Sequence, residues 1–259
     1  MLEFSDAQML SALGQWLWPL LRISGFLLTA PIIATRSVPM RVRISLALVL
    51  CIAIAPALPP QPSLSDLGTQ GFALAAAQLV IGVALGLVFR LMFLVFEFAG
   101  QLAAQQMGLG FASLIDPQTG AQVPVLSQFY ILLATLLMFA IDAHLVLIQV
   151  LAESFVVLPT SDQAIAPGGL RAVVRWSADL IALALLFSLP VVIALLAINF
   201  SLGVMARSAP QLNIFAVGFP VMILVGVVLV FVSLSHLAPF TASLFDKSLI
   251  VADEVLRAR

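Results

Sequence analysis

The chain has 259 residues, of which 63% are hydrophobic and 9% charged, with a net charge of −1 and a mean hydropathy of +1.19. Soluble domains carry about a quarter charged residues, so this composition excludes a soluble globular protein and predicts an all-α, multi-pass membrane-class chain. The near-neutral charge offers no basic surface for nucleic acid, and the single cysteine, Cys51, excludes an internal disulfide or a thiolate metal cluster.

About 20 residues of helix cross a hydrocarbon core of roughly 30 Å. Six long apolar segments meet or approach that length: residues 7–34, 42–58, 71–99, 125–151, 178–202 and 214–238. Glu3 and Asp6, rather than basic residues, precede the first. It is longer than a signal-peptide core and contains Arg22, so it is expected to be retained. Pro31, Arg36 and Pro39 end that segment, and Pro56, Pro59, Pro60 and Pro62 end the second before a polar loop with Asp66. The third carries Gly82 and Gly86 in a GxxxG pattern, which lets helix backbones approach closely, and is expected to pack tightly against another helix. Residues 159–169 form the longest polar linker. Several segments are expected to be bent helical hairpins rather than straight spans. The whole chain, 1–259, is read as a single helical domain without repeats.

Residues 105–124, QQMGLGFASLIDPQTGAQVP, interrupt the apolar pattern. Gly108, Gly110 and Gly120 loosen the backbone, and Pro117 and Pro124 remove donors and break helices. Asp116-Pro117 is turn chemistry, because the residue before proline avoids helical angles. Met107, Leu109, Phe111, Leu114 and Ile115 nevertheless keep the stretch apolar. Such a loop between membrane-grade segments is tolerated inside protein or lining a cavity. Two readings stay open at this point, a connector resting on the bundle and a movable plug in a pathway.

After Pro239 the pattern changes. In the tail, residues 240–259, Leu244, Phe245, Leu249, Ala252, Val255 and Leu256 recur at helical spacing while Asp246, Lys247, Asp253, Glu254 and Arg257 fall elsewhere. This predicts a C-terminal amphipathic helix. Its mixed charge disfavours lipid headgroups and favours docking on a partner.

With six spans, one side of the membrane would hold Arg36, Arg41, Arg43 and Arg207, and the other Arg171, Arg175, Lys247, Arg257 and Arg259. Four against five is no bias, so the positive-inside rule does not orient the chain. Assembly with other subunits, rather than independent insertion, would account for that.

Arg22, Arg90, Glu97, Asp142, His144 and Asp179 sit in or beside apolar segments, where a charge costs on the order of 2.5–3.5 kcal/mol and must face protein or water. They suit either structural pairing or an ion path. Asp142 and His144, two apart on a helix, diverge and cannot form a simple dyad. Arg90 and Glu97, one heptad apart, are expected to serve inter-helix or inter-subunit pairing. Trp16, Trp18 and Trp176 fit interfacial anchoring or core packing equally. No HExxH, GxSxG or GxxxxGK[ST] motif occurs, and there are two histidines, His144 and His236. No catalytic residues, metal site or cofactor are expected, and the chain is not read as an enzyme.

Three stretches carry a resemblance: residues 107–120 (MGLGFASLIDPQTG), 206–220 (ARSAPQLNIFAVGFP) and the early LLRISGFLLTAPII…RSVPMRVR over 20–43. Together they resemble the FliR/SctT family, subunits of the flagellar and injectisome type III export gate, nearly along the whole chain. The Asp-Pro-Gln-Thr-Gly form of the loop looks more like the flagellar branch. The resemblance implies a gate subunit in the bacterial inner membrane and flagellar basal body, its assembled core extending to the periplasmic side. Implied partners are FliP and FliQ subunits, FlhB-type and FlhA-type export components, the MS ring, membrane lipid and unfolded export substrates in transit, with no nucleic acid. By the same resemblance 105–124 is the plug of the channel, with Met107, Gly108, Leu109, Gly110, Phe111, Leu114, Ile115, Asp116, Pro117 and Gly120 at the pore and Phe111 facing the constriction. Arg22, Arg90, Glu97, Arg207, Pro210, Gln211, Asn213 and Phe215 are expected in subunit contact or packing. The alternative reading is a stand-alone multi-pass transporter coupled through Asp142, His144 or Arg90.

Overall fold

The computed structural model describes residues 6–35, 37–63, 69–109, 125–160, 165–208 and 214–258. Among them every regular element is helical: α1 (Asp6–Thr29), α2 (Met40–Ile54, continued by a 3-10 turn over Ala55–Ala57), α3 (Thr69–Gln106), α4 (Val125–Ala140), α5 (Ala143–Val157), α6 (Pro167–Ser208) and α7 (Ile214–Arg257). The chain divides into two compact units. Unit 1 comprises Met1–Leu91, Asp142–Ser177 and Phe245–Arg259; unit 2 comprises Met92–Ile141 and Ala178–Leu244.

The all-α membrane class expected from composition is what the chain adopts, but the element boundaries differ. Among the described residues four helices are long and apolar enough to cross a membrane, namely α2 with its 3-10 extension, α3, α6 and α7. The broken pair α4–α5 makes a fifth if counted as one span. The expected first segment falls short because Gln15 and Arg22 dilute the hydropathy of α1. The expected fourth segment is two helices. Asp142 takes a left-handed conformation, φ 54°, which aspartate tolerates better than most residues. The fifth begins 11 residues earlier than expected, at Pro167 rather than Ala178, because Arg171, Arg175 and Ser177 lower hydropathy without breaking a helix. The last continues through Pro239 to Arg257. A proline inside an apolar helix is accommodated where neighbouring groups satisfy the freed carbonyl.

In unit 1, α1 and α3 cross at close range through their glycines. A Cβ on Gly82 would fall on the Arg22 carbonyl oxygen, one on Gly86 on Thr29 Oγ1, and one on Gly25 on the Leu79 carbonyl oxygen. The GxxxG pattern of α3 therefore has a definite partner, α1, and Gly25 answers it from the other side. At this range Thr29 Oγ1 donates to the Val83 carbonyl at 3.0 Å, an interhelical bond worth about 0.6–2 kcal/mol.

Arg22 is wholly buried, and among the described residues no carboxylate accepts its bonds. Nε donates to Gln78 Oε1 at 2.8 Å, Nη1 to the Ser154 carbonyl at 2.7 Å, and Nη2 to the Leu158 carbonyl at 2.9 Å. Its guanidinium lies 4.3 Å from the centre of the Phe155 ring. Ser154 and Leu158 stand at the end of α5; the Ser154 carbonyl already accepts the Leu158 N–H at 3.0 Å, so the arginine adds a second donor there, satisfies the Leu158 carbonyl and sits at the negative pole of the helix dipole. Of the three tryptophans, Trp18 and Trp176 are core residues, donating from Nε1 to the carbonyls of Pro62 and Val88 at 2.9 Å, whereas Trp16 is exposed.

The tail is amphipathic as expected, but its apolar face is covered by its own unit. Leu244 closes unit 2; in unit 1, Phe245, Ala252, Val255 and Leu256 are buried, with the Phe245 ring 6.1 Å from that of Phe89. Gly169 is so close to the Val255 carbonyl that a methyl group would meet it. Docking of this face on a separate partner is thus corrected to docking within the chain.

Unit 2 is built from the end of α3, α4, most of α6 and α7. Phe187 and Phe240 stack with centroids 4.8 Å apart, Phe96 meets both edge-on, and Tyr130 meets Phe187 edge-on at 5.4 Å. A second cluster holds Ala103, Met107, Val191, Leu195 and Met222. Most of the apolar stretch of α3 is buried, while α2, α6 and α7 each bury less than a third of theirs. Side chains such as Phe200, Phe231 and Leu224 stand exposed on α6 and α7.

Candidate functional site

The site lies in unit 2, where α3 ends and α4 begins. Met107, Gly108 and Leu109 are described there; Gly110, Phe111, Leu114, Ile115, Asp116, Pro117 and Gly120 lie outside the described residues. Gly108 has φ 78°. Its N–H donates to the Gln105 carbonyl and that of Leu109 to the Ala104 carbonyl, both at 3.0 Å. These paired bonds with a left-handed glycine form a Schellman stop, which satisfies the last carbonyls of α3. Gly108 is therefore a helix terminator, a role more definite than the loosening expected of it.

Met107 is buried with 2% of its surface exposed. Its side chain occupies a notch in α7, since a Cβ on Gly226 would lie 2.5–2.7 Å from Met107 Cγ, Cε and Sδ. The start of α4 is held just as closely. Ser127 Oγ donates to the Glu97 carbonyl at 2.8 Å, and a Cβ on Gly100 would lie 2.5 Å from Ser127 Cα. Small residues on α3 thus bring α4 against it, and both ends of the 110–124 stretch are anchored in one place. Leu109 and Val125 line the same apolar pocket of about 320 Å³, with Met107, Phe129, Val230 and Phe231. Every described residue around it is apolar, so this part of the surface can exclude water and ions and offers no group to move a proton or bind a charge.

The other candidates are scattered. Arg22 is inside unit 1, and Arg90 is exposed on the part of α3 in that unit. Glu97 is half-buried in unit 2, and Arg207 is exposed in the last turn of α6. Among the described residues, neither Arg90 nor Glu97 makes an ion pair. Pro210, Gln211 and Asn213 lie outside the described residues, and Phe215 falls in the first turn of α7, where side chains are not described. Asp142 is exposed at the α4–α5 break. Gly100, Ser127 and Gly226 are the contributors that sequence reasoning missed. Gly100 follows Ala99 and precedes Ala103 and Ala104, a small-residue face that could have been read; Gly226 is alone in an apolar run.

The family described as bacterial export proteins, family 1, matches residues 13–248. The chain belongs to this family. Relatives within it include the flagellar biosynthetic protein FliR of Escherichia coli (strain K12), 37% identical over 95% of this chain and 94% of that protein. The FliR of Pectobacterium carotovorum subsp. carotovorum is 36% identical over 99% and 98%, and that of Bacillus subtilis (strain 168) 33% identical over 87% and 88%. The bacterial export family match spans both compact units, including α3, both anchors of the 110–124 stretch and the Gly226 notch.

Proposed function

We propose that this chain is a non-enzymatic subunit of the flagellar type III protein export gate. With FliP and FliQ it forms the channel through which unfolded flagellar proteins leave the cell, and its residues 105–124 seal the closed pore. FlhB-type and FlhA-type components, the MS ring and membrane lipid surround the assembled gate in the inner membrane and basal body. The observation that carries this reading is the near full-length similarity to proteins named for flagellar biosynthesis. It is supported by the exposed apolar side chains on α6 and α7, which need lipid or protein cover. The sealing role is supported by the anchors: an apolar stretch held at both ends against an apolar pocket can close a passage without reading any side chain of the substrate.

The test is to assemble the chain with FliP and FliQ in a membrane and measure ion permeability. Deleting residues 109–120, or replacing Phe111→Gly, is expected to raise the leak while the subunits still co-purify. A wild-type leak in both variants would remove the sealing role, and failure to co-purify with FliP and FliQ would remove the gate assignment.

A further inference from the structure

A glycine in the interior of a long helix is unfavourable relative to alanine, because it adds backbone freedom to the unfolded chain and contributes no packing. In α7 Gly226 is nonetheless buried, and the space its missing side chain leaves is filled by three atoms of Met107. Gly203, in α6, offers a contrast, with nothing within 4 Å of the position its Cβ would take. Met107 is also the residue immediately before the left-handed Gly108 that ends α3. Its side chain therefore fixes, against α7, the point at which the chain leaves helical geometry.

Beside the notch lies the apolar pocket of about 320 Å³, and Met107 is part of its wall. Methionine is unbranched and adapts its rotamers to irregular space. A side chain displaced from Gly226 would have this pocket's apolar space beside it.

We propose that Gly226 is a positioning residue for the pore seal: by seating Met107 it sets where the N-terminal root of residues 105–124 stands, so the closed state of the passage depends on a residue more than 100 positions away in sequence. This rests on the sealing role proposed above. Gly226 does not line the passage; it acts through Met107.

The experiment uses the chain assembled with FliP and FliQ, with methionine labelled at the methyl carbon. Gly226→Ala is expected to shift the Met107 methyl resonance, assigned by its loss in Met107→Ala, and to raise ion leak severalfold with unchanged co-purification. On a Met107→Ala background the same Gly226→Ala change is expected to add no further leak, because the group it displaces is gone; such non-additivity is the signature of direct coupling. Gly203→Ala serves as the control and should leave both readouts unchanged. An unmoved Met107 resonance in Gly226→Ala, or a leak that increases equally with and without Met107, overturns the proposal. If Gly226→Ala does not leak while deletion of 109–120 does, the positioning role fails and the sealing role stands. If the deletion itself does not leak, the sealing role fails and the positioning proposal falls with it, whatever the resonance shows.

Discussion

Arg22 Nη2 donates to the Leu158 carbonyl at 2.9 Å, so a side chain in the middle of α1 holds the last turn of α5, more than 130 residues further along. Among the described residues, a buried cation in this chain is thus balanced by helix-end carbonyls and an aromatic face, without a carboxylate.

Replacing Arg22→Leu leaves the Leu158 carbonyl and Gln78 Oε1 without this donor, while the Ser154 carbonyl keeps the Leu158 N–H. Each orphaned buried group costs about 1–3 kcal/mol, so the variant is expected to lose on the order of 3 kcal/mol, read as a lower unfolding temperature in detergent. Arg22→Lys should recover little of it, because a single ammonium cannot span three acceptors that a planar guanidinium reaches together.

Gly82→Ala is expected to force α1 and α3 apart, at a cost of about 1–3 kcal/mol typical of overpacking. Gly203→Ala, with open space at its Cβ position, should be neutral or slightly stabilising. Thermal unfolding of the two purified variants separates these outcomes, and equal destabilisation would contradict the crossing geometry.

Tyr130 does two jobs in unit 2. Its hydroxyl lies 3.2 Å from Ser233 Oγ, while its ring meets Phe187 edge-on. Tyr130→Phe should therefore cost only about 0.5–1.5 kcal/mol, and Tyr130→Ala about 3–5 kcal/mol. Denaturant or thermal midpoints of the pair check that ratio.

Gly108→Val places a β-branched residue at a φ of 78°, where side chains other than glycine cost roughly 1–2 kcal/mol. The Schellman bonds should weaken first, so hydrogen exchange at the Gly108 and Leu109 amides is expected to accelerate while exchange deeper in α3 stays slow. Gly108→Asn should behave closer to the wild type, because asparagine tolerates the left-handed region.

Hydropathy made the helical class legible, since burial in lipid or in a helical bundle selects the same apolar residues. It did not reveal where helices begin and end. Arg171 and Arg175 look like a boundary, yet they are only the exposed side of α6, whose hydrogen-bonded turns start at Pro167. Asp142 looks like a charge inside a span and proves to be the break between two helices. The amphipathic spacing after Pro239 was readable; its partner was not, because packing of Phe245 on Phe89 joins residues 156 positions apart. At the candidate site Gly108 marked a departure from helix, whereas Gly226 and Ser127 leave no local trace, their roles arising only from what the end of α3 presents to them.

The stop at Gly108 and the clasp of Ser127 on Glu97 together make the interval between them a cassette. Its ends are tied off by bonds that involve none of its own side chains, so a graft from another species can replace the interval without shifting the register of either flanking helix. Variation in that interval can then accumulate while the frame that carries it stays the same.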